Sequence, residues 1–152
     1  MARVLSALLV AFISLPHSAV GQATTVQQEI LDYQLTLPRA NQLITAMETM
    51  TKYVMSLPDF QGRMARMAKM TAAERRAQVE NDPKAMAILK QNNLTLQDYL
   101  VGVPALRMAL MAAQGVKAPT VVASPANLAF AKANLAELKP KLDAADGTTA
   151  RK

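Results

Sequence analysis

Helix-start signals recur along this chain so closely that they leave room for little besides helices. Thr36 precedes Leu37-Pro38, Asp82 precedes Pro83, and Ser124 precedes Pro125. In each, a side-chain oxygen can accept a hydrogen bond from a first-turn backbone N–H, and proline sits where its missing N–H costs nothing. Thr71-Ala-Ala-Glu74 is a capping box, Asp59 can cap a further segment, and Thr95-Leu-Gln-Asp98 opens another. Behind these starts, apolar residues return every three or four positions, the period of one helix face. Leu43, Ile44, Met47, Met50, Val54 and Met55 form one such row, and Leu96, Tyr99, Leu100, Val103, Leu106, Leu110 and Met111 another. Stops are equally explicit: Leu57-Pro58, Asn92-Asn93 and Gly115.

These signals predict an all-α fold, a single compact bundle of five to six helices spanning residues 24–145. A short first helix is expected over residues 24–34 and three longer ones over about 37–56, 95–114 and 125–143, with shorter pieces between. Pro104 should kink its helix. Composition agrees. Glycine (5) and aromatics (4%) are scarce in a chain of 152 residues that is 51% hydrophobic, which favours helices over sheets.

The first residues carry a different message. Arg3, an apolar core from Val4 to Leu15 broken by Pro16, and the small-residue stretch Ser18-Ala19-Val20-Gly21-Gln22-Ala23 read as a signal peptide over residues 1–23, cleaved near 21–23. The core is too short for a transmembrane span, which needs about 20 apolar residues. The expected address is export, to the bacterial periplasm or beyond. Residues 146–152 are expected to form a short disordered tail.

Processing there would remove His17, the single histidine, and Arg3, reducing the net charge from +6 to +5. With no cysteine either, the mature chain can form no Ser-His or Cys-His pair, no thiolate or histidine metal site and no disulfide. A non-enzymatic protein without a resident cofactor is the expectation.

Methionine is the unusual residue. Nine of the ten fall in the expected mature chain, seven of them in Met47/Met50, Met64/Met67, Met67/Met70 and Met108/Met111 pairs spaced i, i+3 on one helix face. Methionine fills cores, but flexible thioethers also make surfaces that accept varied apolar partners. The predicted groove for a hydrophobic small molecule or polypeptide partner is lined by Met47, Met50, Met64, Met67, Tyr99, Met108 and Met111. Soft sulfur ligands select Cu(I), or Ag(I), so a metal site at Met64, Met67 and Met70 is the alternative, opposed by the interleaved Arg63, Arg66 and Lys69. A structural role in the envelope is a third reading. Between residues 63 and 90 basic side chains outnumber acidic ones, enough for weak attraction to an anionic membrane surface. Nucleic acid is not expected, since no recognition motif accompanies that charge.

Two resemblances bear on this. Asp32-Tyr-Gln-Leu-Thr36, the stretch from Asp82 through Asn93-Leu-Thr-Leu-Gln-Asp-Tyr99-Leu to Ala105-Leu-Arg-Met-Ala-Leu-Met-Ala-Ala113, and Ser124-Pro-Ala-Asn-Leu-Ala-Phe130 together resemble a group of small exported bacterial proteins. That resemblance implies export and a helical fold, with no activity attached. Met70-Thr-Ala-Ala-Glu-Arg-Arg-Ala-Gln78 is similar to the Leu-Thr-x-x-Gln motif of Spy-type periplasmic chaperones, departing from it at Met70 and Glu74. That likeness implies a helical cradle with a basic, partly apolar concave face.

Overall fold

The structure, a computed structural model, describes residues 20–147. The expected signal peptide falls outside the described residues as far as residue 19, as do residues 148–152 of the expected tail. Among the described residues there are seven helices and no strand: α1 (Val20–Asp32), α2 (Leu37–Ser56), α3 (Phe60–Lys69), α4 (Ala72–Glu80), α5 (Pro83–Gln91), α6 (Leu96–Ala113) and α7 (Pro125–Ala145).

All-α architecture therefore holds, but the expected count of five to six is corrected to seven. The extra division lies between α3 and α4. Met70 leaves the helical region (φ −76°, ψ 145°), and Thr71 starts again with a complete capping box. Its hydroxyl accepts from the Glu74 N–H at 3.2 Å while the Glu74 carboxylate accepts from the Thr71 N–H at 2.7 Å. A capping signal that strong ends the preceding helix as well as starting the next.

The other starts form as their residues dictate. Thr36, Asp59, Asp82, Thr95 and Ser124 each accept a backbone N–H from the first turn of the helix that follows. Two ends are Schellman motifs. At Gly115 (φ +80°) the N–H donates to the Ala112 carbonyl and that of Val116 to the Met111 carbonyl. At Asn93 (φ +54°) the matching bonds run to Lys90, and from Leu94 to Leu89, so asparagine takes the left-handed turn that glycine usually takes. α6 continues through Pro104 and α7 through Pro140.

The framework is a three-helix core. α7 lies against both α6 and α2, and α2 also touches α6. Leu43, Leu106, Leu110 and Leu138 from these helices, with Leu89 from α5, are the largest fully enclosed side chains. Each contributes about 1.5–3 kcal/mol by leaving water. Between α2 and α6 the chain makes an excursion: α5 packs on α2, and α4 sits over α5 and α6. α1 docks on α6 through a separate small cluster of Ile30, Val101 and Ala105. Gly102 marks that approach, for a Cβ there would stand 2.8 Å from the Tyr33 ring and hydroxyl. Asp146 and Gly147, expected to begin a disordered tail, instead close α7: the Gly147 N–H bonds the Ala144 carbonyl and Asp146 pairs with Arg107.

Candidate binding surface

α2 carries its apolar row Leu43, Ile44, Met47, Met50 into the main core, because α6 and α7 cover that face. Met47 is 3% exposed and Met50 9%. Both were expected to line a groove. In this conformation they pack among leucines and cannot receive a ligand.

The remaining predicted residues scatter. Met108 leans half-buried on the small cluster beneath α1. Met111 is 39% exposed on the last turn of α6, beside the equally bare Val116. Tyr99 rests against the main core, and burial pushes its phenol up to about 12, with the Arg107 charge opposing. The structure does not gather these seven side chains into one groove.

One group stays together. Met64 and Met67 lie on α3, and Met70 caps its end with an N–H bond to the Met67 carbonyl at 3.2 Å. None of the α3 side chains is buried. Phe60, Met64, Met67 and Met70 are partly buried, yet they are not among the residues packed against either core cluster. The neighbouring Met55, at the end of α2, is 51% exposed. At about 100° per residue, Met67, Phe60 and Met64 fall within an arc of about 60° on the helix. Arg63 and Arg66 run along one flank and Lys69 lies behind. The Arg63 Nε donates to the Pro58 carbonyl at 3.1 Å, and Arg66 pairs with Asp59, both side chains 61% exposed. An ion pair that wet contributes little.

The sequence reading missed a second feature. A depression of about 390 Å³ lies between α2 and α5, bordered by Thr49, Lys52, Tyr53, Lys84, Ile88 and Gln91. The Tyr53 hydroxyl donates to Asp82 at 2.9 Å, which raises its pKa, and Lys84 stands 4.8 Å above the ring. These groups already satisfy one another, and Lys52 is bonded to Glu48 at 2.6 Å. Only the spacing of the α2 face, on the side away from the core, could have flagged them.

Buried polar groups elsewhere hold helices together. The Arg107–Asp146 pair ties the end of α7 to α6; desolvation raises the Asp146 carboxyl and lowers the guanidinium, each countered by the partner's charge. Among the described residues no cluster of three or more His, Cys, Asp or Glu could hold a metal ion, and no helix is long and apolar enough to cross a membrane. Comparison with known protein families, with curated proteins and with solved structures finds no match to this chain.

Proposed function

We propose that this is an exported, non-enzymatic binding protein that engages an apolar ligand, or an apolar stretch of a partner polypeptide, along α3 and the adjoining end of α2. One observation carries the reading: the Phe60–Met64–Met67 row is amphipathic, yet it packs against neither core cluster. A helix normally owes its stability to burying such a row. Left partly bare on flexible thioethers, it suits a partner that varies in shape. Of the seven residues that composition and spacing suggest, Met64 and Met67 remain in this surface, joined by Phe60 and Met55.

The likeness to Spy-type chaperones falls on Met70–Gln78, at the α3–α4 junction beside this surface, and is compatible with holding unfolded clients. Cu(I) binding by Met64, Met67 and Met70 ranks below this reading, because Arg63, Arg66 and Lys69 share the same short helix. A purely structural envelope role would leave the row without a ligand.

The test uses an apolar fluorescent dye and a heat-denatured client with the native protein. Met64→Gln combined with Met67→Gln should cut dye fluorescence several-fold and abolish suppression of client aggregation at near-stoichiometric ratio. A wild-type protein that binds neither dye nor client in its native state ends the proposal.

A further inference from the structure

α3 is set apart from the other helices by charge as well as by packing. Its ten residues include Arg63, Arg66 and Lys69 and no carboxylate; the nearest acid is the cap, Asp59. Arg63 and Arg66 flank the thioethers, so their long side chains can lay their stems on an apolar phase while their heads reach outward from it. The helix is also sparsely packed. Its main contact is with α2, and the depression between α2 and α5 is bordered by no α3 residue.

Those three properties distinguish among occupants. A second copy of α3 would bring three more cations against the same short row. A bound peptide helix is held best in a groove with two sides, and the depression between α2 and α5 is bordered by no α3 residue. A flat surface that is anionic outside and apolar a few ångströms below fits all three properties. We infer that α3 is a membrane-docking helix, lying in the headgroup layer of an anionic bilayer with Phe60, Met64 and Met67 buried among the upper acyl carbons. Arg63 and Arg66, on the flank of that row, then reach lipid phosphates, and Lys69 on the outer face adds longer-range attraction. This rests on α3 being the docking surface and names what it docks on.

The physical expectation is modest, reversible binding. Three turns bury only a few side chains, so charge supplies much of the attraction and salt should weaken it. Each basic residue removed should reduce partition about five-fold.

The experiment takes protein recovered after expression in a secreting bacterium, its N-terminus read by mass spectrometry. It is sedimented with vesicles of phosphatidylcholine alone or mixed in equal parts with phosphatidylglycerol. All variants are compared in the same processed form, so any contribution from the chain's first residues cancels. Wild type should bind the mixed vesicles, release in high salt, and leave neutral vesicles at least about 100-fold less occupied. Arg63→Ala with Lys69→Ala should weaken binding about 25-fold. Met64→Gln with Met67→Gln should weaken it at least about ten-fold. Circular dichroism should stay unchanged in both and any fall in melting temperature should be small, since no α3 side chain is fully buried.

Equal binding to neutral vesicles, or binding indifferent to both variants, overturns the inference. So does self-association that the same substitutions dissolve while wild type ignores vesicles. If vesicles are ignored but the methionine variant still loses dye and client, the membrane assignment fails and α3 stands as a polypeptide-binding surface. If dye, client and vesicles are all unaffected by it, both readings fail.

Discussion

Asn127 serves the connector between α1 and α2 as a neighbouring strand would. Its side-chain oxygen accepts the Leu35 N–H at 3.0 Å and its amide nitrogen donates to the Tyr33 carbonyl at 2.7 Å. Only 3% of the residue is exposed, so neither connector group has ready access to water as a substitute. Asn127→Ala should therefore cost about 2–4 kcal/mol in urea unfolding, since two polar groups lose partners at once. Asn127→Asp keeps the acceptor but turns a carboxylate toward the Tyr33 carbonyl; its destabilisation should ease as the solution is acidified. No local pattern marks this residue. In the sequence it is one more polar position in a capped first turn, and its partners lie more than 90 positions away. The methionines teach the same lesson. Met47 and Met64 sit in equivalent i, i+3 pairs, yet one is sealed in leucine and the other is partly exposed. Spacing says which residues share a face, and only the packing of other helices says whether that face is covered.

Helix starts, by contrast, were legible because the chemistry that makes them is local. All six caps from Thr36 onward formed, since each needs only an oxygen and an N–H two or three residues away. The six capped starts and the segment before Thr36 make seven helices once each short piece between Ser56 and Leu96 is counted as a helix of its own, which a count of five to six does not do. The Thr95–Asp98 box carries a consequence for pH. Burial raises the Asp98 carboxyl, but bonds from the Thr95 hydroxyl and N–H, the Arg39 charge and the Tyr33 hydroxyl outweigh it, so the net shift is downward from 3.8. The folded state then binds fewer protons than the unfolded one in that range. Its stabilising effect is complete above about pH 4 and is lost as pH falls through the lower folded value. Asp98→Asn should cost about 1 kcal/mol at pH 7, and the gap to wild type should close in acid unfolding curves. A gap that stays constant down to pH 2 would sink this account.

Across the whole molecule the helices are unequal in their hold on the core. α2, α6 and α7 enclose one another, whereas α1 hangs on the small cluster around Ile30 and α3 has no fully buried side chain. Hydrogen exchange under native conditions should reflect that. Amides of α3 and the first half of α1 should exchange at far lower opening free energy than those of α2 and α6, which should approach the global value. Gly102→Ala tests the α1 contact, because its Cβ would meet Tyr33 and Leu43 at 2.8–3.0 Å. A loss of about 1–3 kcal/mol, with exchange in α1 accelerated most, is expected.

The position of α7 in the chain has a temporal meaning. Among the described helices it is made last, and it supplies the Asn127 bracket, the Leu138 plug and the Asp146 latch onto Arg107. While the ribosome is still translating residues before Ser124, α2 and α6 expose the faces that α7 will cover, and nothing closes over them. The polypeptide thus remains an open string of nascent helices until α7 has emerged. A stalled product ending before α7 should be an aggregation-prone, protease-sensitive chain rather than a smaller version of the same bundle.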